Sequence, residues 1–364
     1  MGKKLRITIL YNEPVSNVNH ADSVTAVTHA RSNGKSNGAS ANGNGFPPAV
    51  DASELGVLEE MEDIKSALNA MGYRAKTMNV DSDIFRLIDY LRDDRPDLIF
   101  NLVECVENEA AQEMNVAGIY ELLKIPFTGA GPLALGIALN KPKVKEILSY
   151  YGIRTPRHQV FHQTDKIELD PKLSYPLMVK PSREDASVGI SDESVVYSVA
   201  ELRRQVRFIH EEFEQPALVE QYIVGREVNV AIMGNKKPVI LPISEIDFSG
   251  LTDDMHKIVS YDAKWMQGTV AFSGTQGVCP AKLTAEEGAM LKDIALRCYR
   301  VIGCRDYARV DIRLTKNKTP YVLEVNPNPD ISDDAGFARS AMAHGLTFPQ
   351  VVGKIVDYAL ERYQ

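Results

Sequence analysis

The sequence predicts an α/β (α+β) protein in which a small parallel α/β domain precedes strand-rich segments. Near the N terminus, apolar strand-like runs alternate with runs of helical periodicity, which is the pattern of a parallel sheet. From Tyr175 onward, strand-like runs dominate. At 364 residues, the chain is also too long for one ordinary core. We therefore expect two or three subdomains.

The N-terminal elements follow from the spacing of apolar residues. Residues 7–10 predict a first strand, and apolar residues at helical spacing predict a helix over 53–71 that ends at Gly72. Between them, residues 15–50 carry few large apolar side chains, so this segment cannot bury enough surface to offset its ordering entropy. We expect it to be a flexible insertion. The remaining predicted elements are strands over 75–80, 97–103, 175–180, 218–223 and 227–233, and helices over 83–91, 109–124, 132–151, 201–213, 284–302 and 348–363.

Composition excludes several classes of protein. Hydrophobic residues make up 44% and charged residues 25%, values typical of a soluble globular protein. The net charge of -8 argues against a nucleic-acid partner. No apolar run reaches the length of a membrane span, so we expect no membrane partner.

The cysteines and the N-terminal residues predict a cytoplasmic location. Four cysteines (Cys105, Cys279, Cys298, Cys304) lack the spacing of a zinc site or a disulfide framework. Reduced thiols are the norm in the cytoplasm. Basic residues precede the first apolar run, but that run is too short for a secretory signal.

Two strand-like runs near the C terminus are the most informative segments. Glu324 and Asn326 are two apart in one run, and Arg309 and Asp311 are two apart in the other. Each pair therefore lies on one strand face. The polar segment 315–320 predicts a hairpin; if it turns at residues 317–318, Asp311 faces Glu324, and Arg309 faces Asn326.

This arrangement predicts a metal and phosphate site. Facing carboxylates repel each other unless a cation lies between them. Carboxylate and amide oxygens suit Mg²⁺, and a neighbouring arginine suits a phosphate or an oxyanion. The alternative is a solvated strand face that happens to carry charges, and the pattern alone favours that interpretation.

The segment after Lys180 predicts a second phosphate-binding element. Small residues in the loop 181–190 allow backbone N–H groups to approach an anion, and a lysine at the end of a strand reaches phosphates as a point charge. An ordinary surface turn has the same composition. The loop is not a Walker A motif, because GxxxxGK[ST] is absent.

Taken in order, these segments resemble the ATP-grasp superfamily and, within it, the D-alanine–D-alanine ligase group. The match runs from about residue 107 to residue 364. The segments that carry it are 121–129, 179–184, 187–189, 218–220, 225–227, 261–264, 279–281, 309–311 and 323–326. The resemblance implies an N-terminal α/β domain over 1–130, a central ATP-grasp lobe over 131–220 and a C-terminal lobe over 221–364. ATP is clasped between the two lobes in this family.

The resemblance also implies nucleotide-binding residues. Two lysines match those that hold phosphates, Ser187 matches the loop that covers them, and Glu184 matches a polar residue near the adenine. The hinge at residues 220–223 matches the segment whose amide groups bind the adenine, and Glu227 matches the carboxylate that binds the ribose. A surface charge on the first lysine and a structural strand pair at the hinge are the alternatives. The implied set is Lys141, Lys180, Glu184, Ser187, Glu220, Gln221, Tyr222, Ile223, Glu227 and Leu323.

The implied metal ligands are Asp311, Glu324 and Asn326, which would hold Mg²⁺ or Mn²⁺. Arg309 matches the arginine that stabilises the acyl phosphate, and Lys264 lies in the segment that matches the mobile lid. Tyr261 either orients that lysine or is an ordinary loop tyrosine. The implied reaction is phosphorylation of a carboxylate by ATP, followed by attack of an amine. Small-molecule carboxylate and amine substrates and a homodimer are expected from the family.

The chain departs from the family around the substrates. Asp330 replaces a glycine, Ala335 replaces a serine that binds a substrate carboxylate, and Asp333 and Asp334 follow closely. We expect the second substrate to present an amine or hydroxyls near Asp330, unless these three residues only cap the next helix. The leading interpretation is a carboxylate–amine ligase for a pair other than two D-alanines. A true D-alanine–D-alanine ligase, a non-catalytic nucleotide-binding protein and a carboxylate kinase are the alternatives.

Overall fold

The computed structural model describes residues 4–13, 52–107, 109–332 and 335–363. The predicted insertion at 15–50 lies outside these residues. As the sequence predicts, the described chain is mixed α/β, with one parallel sheet and two antiparallel sheets. None of the described helices combines the length and apolarity needed to cross a bilayer.

The N-terminal sheet is parallel and has the order β2–β1–β3. Parallel neighbours need crossover connections, and helices that precede β2 and β3 supply them. Strand β3 is buried along its whole length, as expected for a parallel strand covered on both faces. The elements are β1 (Arg6–Tyr11), α1 (Ala52–Ala70), β2 (Arg74–Asn79), α2 (Ile84–Asp93) and β3 (Leu98–Leu102).

Three helices and an antiparallel sheet of order β4–β7–β5–β6 follow. The apolar face of α6 packs on this sheet, where Leu202 and Ile209 join the same core as Val179 and Val219. The elements are α3 (Glu113–Leu122), α4 (Pro132–Leu139), α5 (Lys141–Tyr150), β4 (His158–Phe161), β5 (Leu177–Pro181), β6 (Val195–Val196), α6 (Val199–Glu212) and β7 (Ala217–Gln221).

The C-terminal sheet has the order β11–β10–β8–β12–β13, with β9 beside β8. Helix α9 covers one face, and α11 packs against α1 of the N-terminal domain. This packing closes the N-terminal domain over the end of the C-terminal sheet. The elements are β8 (Arg226–Met233), β9 (Val239–Ile240), β10 (Ser244–Asp247), α7 (Tyr261–Trp265), α8 (Val270–Gly274), β11 (Gln276–Val278), α9 (Ala285–Ile302), β12 (Tyr307–Leu314), β13 (Pro320–Asn326), α10 (Gly336–Ala343) and α11 (Phe348–Glu361).

The prediction of one helix over 132–151 is wrong. Asn140 leaves the helical region (φ -82°, ψ 82°), ends α4 and caps α5 by accepting from the N–H of Lys143. Pro142 explains the break, because its ring would clash with the preceding turn of a continuous helix. The break turns the backbone N–H of Lys141 towards the carbonyl of Ser182 in the predicted phosphate loop.

Candidate active site

The β12–β13 hairpin has the predicted register. Asp311 pairs with Glu324, and Arg309 pairs with Asn326. The turn between the strands is closed by a 2.8 Å hydrogen bond from the N–H of Lys318 to the carbonyl of Thr315. The prediction that this hairpin brings the four polar side chains to one place is confirmed.

The carboxylate of Asp311 is surrounded by donors. Arg309 makes a bidentate pair with it at 2.8 and 2.9 Å. Asn229 on β8 donates at 2.6 Å, and Asn326 donates at 2.9 Å. Burial opposes the charge of Arg309, yet Asp311 and then Glu324 raise the pKa of the guanidinium. The guanidinium of Arg309 is therefore charged, and its two hydrogen bonds to Asp311 fix its direction.

Glu324 is held ionised by cations from the neighbouring lobe. Burial alone would raise its pKa, but Lys141, Lys180 and Arg309 bring the pKa of this carboxyl well below its usual range. Asn326 also donates to Glu324 at 3.4 Å. Lysines from α5 and β5 thus act on a carboxylate of β13, as expected for a cleft between two lobes.

The loop after Lys180 contains a tight turn. Ala186 and Ser187 are consecutive left-handed residues (φ 54° and 64°), the N–H of Val188 donates to the carbonyl of Asp185 at 3.0 Å, and Gly189 follows at φ 73°. The Ser187 hydroxyl donates to the carbonyl of Val259 at 2.8 Å. The loop is therefore tied to the segment that leads into α7.

Lys141 lies at the start of α5 and is 5% exposed. Its ammonium donates to the carbonyl of Glu184 and pairs with Asp185 at 2.8 Å. The side chain of Glu184 accepts from Gln215 at 2.7 Å. Burial opposes the charge of Lys141, but Asp185 and Glu324 raise its pKa.

The predicted hinge joins the central and C-terminal sheets. β7 ends at Gln221, and an irregular segment through Ile223 leads to β8. Gln221 exchanges backbone and side-chain hydrogen bonds with Arg157, and the Tyr222 N–H donates to Pro176. Glu220 does not project as a free hinge residue. It is 2% exposed and pairs with lysines.

Glu227 is committed to an ion pair with Arg313 across β8 and β12, at 2.7 Å. Burial raises the pKa of this carboxyl and Arg313 opposes the effect. Leu323 lies where the β12–β13 register shifts, and its carbonyl accepts from Lys145 at 3.2 Å. The side chain of Glu227 is therefore already partnered, and the backbone carbonyl of Leu323 is bound to Lys145.

The predicted lid is hydrogen-bonded to the loop after Lys180. The N–H of Tyr261 donates to the carbonyl of Ile190, and the indole N–H of Trp265 donates to the carbonyl of Ala186 at 2.9 Å. The ammonium of Lys264 lies 4.5 Å from the centre of the Trp265 ring. Burial and then the positive charge of Arg309 lower the pKa of Lys264.

Asp330 occupies a position that does not need a glycine, because it is not among the described residues with positive φ. It also does not cap α10, whose N-cap is Ala335 without a side-chain bond; its carboxylate accepts from the N–H and hydroxyl of Ser332 at 2.8 and 2.6 Å. Asp333 and Asp334 lie outside the described residues.

Sequence reasoning missed several charged residues of the site. Lys145 is 1% exposed and one helical turn from Lys141, so their i,i+4 spacing was an available signal. No local sequence pattern marks Asp185 or Arg313 as a residue of the site, because their ion-pair partners come from distant segments. Glu60 on α1 accepts from the N–H of Ile331 at 3.1 Å; burial and then Asp330 raise its pKa.

A family model described as the D-ala D-ala ligase C-terminus matches residues 146–357. The chain belongs to the D-alanine–D-alanine ligase family. The resemblance drawn from the sequence and membership of a family of ATP-dependent, ADP-forming ligases are thereby confirmed.

Individual relatives agree with this assignment. The uncharacterized protein y4sG of Sinorhizobium fredii is 33% identical over 266 residues, covering 73% of this chain and 75% of that protein. The D-alanine–D-alanine ligase of Nitrosospira multiformis is 33% identical over 249 residues, covering 68% of this chain and 76% of that ligase. A crystal structure of D-alanine–D-alanine ligase from Bacillus anthracis complexed with ATP superposes with a TM-score of 0.71 at 22% identity, covering 98% of each chain. That likeness confirms the predicted ATP-grasp fold.

Proposed function

We propose that the protein is an ATP- and Mg²⁺-dependent ligase that joins a carboxylate to an amine other than the two D-alanines of the named relatives. One observation carries the proposal. Asp311 and Glu324 face each other, Arg309 is bound to Asp311, and the two lysines of the central lobe act on Glu324. Cations and carboxylates from two lobes are the groups that hold a metal-bound triphosphate.

The donor set fits a hard divalent cation. Among the described residues, no group of three or more His, Cys, Asp or Glu side chains could hold a metal. We therefore take the amide oxygen of Asn326 as the third protein ligand, because the Asn326 amide lies beside both carboxylates. Mg²⁺ or Mn²⁺ held by Asp311, Glu324 and Asn326 would neutralise charge on the β- and γ-phosphates.

The residues of the chain divide the chemistry between them. Lys141 and Lys180 orient the phosphates while a carboxylate oxygen of the first substrate attacks the γ-phosphorus and ADP leaves. The amine then attacks the acyl carbon, phosphate leaves, and the nitrogen loses a proton. Arg309 stabilises the acyl phosphate and the oxyanion. Lys264 and the lid exclude water, which would hydrolyse the acyl phosphate.

Asp330 supports the choice of a different second substrate. Its negative charge raises the pKa of Arg309 and of Glu60 and counters the lowering of the pKa of Lys264, which supports a position close to the residues proposed to act on the acyl phosphate. A substrate carboxylate about 5 Å from this side chain would be disfavoured by ~3 kcal/mol at an effective dielectric constant near 20. A positive amine or hydroxyl groups would be favoured instead.

A true D-alanine–D-alanine ligase is the second candidate. It is favoured by the names of relatives, including the ligase of Pelotomaculum thermopropionicum, which is 28% identical over 84% of this chain. Both candidates use the same nucleotide site and differ only around Asp330 and Ala335.

Release of ADP with pairs of amino acids and amines, followed by product mass, tests the proposal. We expect amine-dependent ADP release and an amide product with a pair other than two D-alanines. We expect the Asp330→Gly variant to gain D-alanine addition. Efficient joining of two D-alanines by the wild-type protein would contradict the substrate proposal. ADP release without an amide would contradict ligation.

A further inference from the structure

A buried group of three charges lies between α5, β5 and β7. Glu220 pairs with Lys180 through one carboxylate oxygen at 2.8 Å and with Lys145 through the other at 2.6 Å. The side chains of Lys145, Lys180 and Glu220 are 1%, 8% and 3% exposed. Two cations therefore share one carboxylate that water hardly reaches.

The two lysines are held differently. Lys145 forms an ion pair with Glu220 and donates two hydrogen bonds, to the Thr155 hydroxyl at 3.2 Å and to the Leu323 carbonyl at 3.2 Å. Its ammonium is thus fixed in place. Lys180 lies near the end of the strand that leads into the turn at Ala186 and Ser187, and its charge lowers the pKa of Glu324 on β13. Lys180 is the lysine placed to move towards a phosphate.

Lys141 provides a contrast within the same site. Its carboxylate partner Asp185 is 56% exposed. If Lys141 moves to a phosphate, water solvates Asp185. Glu220 has no such access to water. If Lys180 were its only partner, the departure of Lys180 would leave Glu220 as a buried and unpaired charge.

We infer that Lys145 is a positioning residue that keeps Glu220 paired, so that Lys180 can leave this carboxylate and bind a nucleotide phosphate. The inference rests on the proposed ATP site. The three groups carry a net charge of +1 with both lysines present. Removing Lys145 leaves a neutral Lys180–Glu220 pair, which ties Lys180 to the carboxylate.

Calorimetric titration with Mg²⁺–ATP and with adenosine tests this role. Adenosine lacks phosphates, so the ratio of the adenosine Kd to the ATP Kd reports the phosphate contribution. For Lys145→Met, we expect the ATP Kd to rise about tenfold, and the adenosine Kd to change less than about twofold. Lys143→Met is the matched control, because Lys143 is on the same helix, is 60% exposed and pairs with Glu146. It should leave both values unchanged.

A charge-matched variant separates this role from a purely structural one. Lys145→Met with Glu220→Gln restores the net charge of +1 and frees Lys180, so the ratio should return to within about threefold of wild type. In steady-state kinetics, Lys145→Met should raise KM for ATP while kcat changes less than about threefold. If Lys145→Met does not fold, Thr155→Val, which removes one acceptor of Lys145, should raise the ATP Kd a few-fold.

The outcomes are distinguishable. A lower Tm for Lys145→Met with an unchanged Kd ratio would overturn the role of Lys145 and leave the proposed function intact. The role of Lys145 would also be overturned, with the proposed function intact, if the charge-matched variant binds adenosine normally but its Kd ratio does not return towards the wild-type value. Failure of the wild-type protein to bind ATP would overturn the proposed function and this role together.

Discussion

Asp311 lies directly opposite Glu324 across the β12–β13 pair, and the amide of Asn326 donates to both carboxylates. Facing carboxylates would repel in a bare hairpin. Here the positive groups around them hold Glu324 ionised. The hairpin therefore presents the carboxylates that we propose as metal ligands, next to the cations that we propose bind the triphosphate.

Glu324→Gln removes a proposed metal ligand while keeping the shape of the side chain. We expect Mg²⁺-dependent ADP release to fall by at least about a hundredfold, because ligand loss should exceed the effect of losing a residue that only supports a ligand. Steady-state ADP release at several Mg²⁺ concentrations measures it. Glu286→Gln, an exposed change on α9, is the control. Equal activity in the two variants would exclude Glu324 as a ligand.

Arg309→Lys keeps the positive charge but loses the bidentate geometry with Asp311. We expect kcat to fall by about a hundredfold, with a smaller change in KM for ATP, because the fork of donors matters most in the transition state. Steady-state kinetics on the variant give kcat and KM for ATP separately, and the exposed Arg300→Lys variant is the control. A change confined to KM would assign Arg309 to ground-state binding instead.

Glu60→Gln tests the acidic surroundings of Asp330 through pH. Burial and Asp330 raise the pKa of Glu60 in the folded state above 4.5. A raised pKa stabilises the fold fully below pH ~4.5, and this contribution is lost as pH rises through the folded pKa. Gln keeps an acceptor for the N–H of Ile331 without the charge.

Thermal unfolding from pH 4 to pH 8 measures this effect. At neutral pH, the variant should be more stable than wild type by at least ~1 kcal/mol, and the difference should narrow towards pH 4. A stability difference between variant and wild type that stays the same from pH 4 to pH 8 would contradict a raised pKa of Glu60.

Trp265→Phe tests the closed lid. The indole N–H bond to Ala186 is worth about 1 kcal/mol, whereas Phe keeps an aromatic face for Lys264. We expect more ADP formed per amide, because a looser lid admits water to the acyl phosphate. Trp265 is also the single tryptophan of the chain, so its fluorescence should change when Mg²⁺–ATP binds the wild-type protein. An unchanged ratio of ADP to amide in the variant would show that the hydrogen bond of Trp265 is not needed to exclude water from the acyl phosphate.

The features that sequence predicts here are local and periodic. Alternation along β12 and β13, with a polar turn between them, predicts the pairing of Asp311 with Glu324. The parallel N-terminal sheet follows in the same way from alternating strands and helices. The break at Asn140 was missed because apolar spacing continues across it, although Pro142 marks it.

Long-range pairings could not be predicted in this way. Lys145 and Glu220 form an ion pair although they are 75 positions apart, and the sequence around either residue does not indicate the other as its partner. The short strands β6 and β9 span two residues each, too few for a period. The domain boundaries, the homodimer and the cytoplasmic location remain predictions.

A crystal structure with Mg²⁺ and a non-hydrolysable ATP analogue tests the central claim most directly. We predict a triphosphate between Lys141 and Lys180 on one side and Asp311, Glu324 and Asn326 on the other, with the cation bound by the last three. A nucleotide bound elsewhere, or bound in this cleft with those three side chains directed away from the cation, would contradict the account.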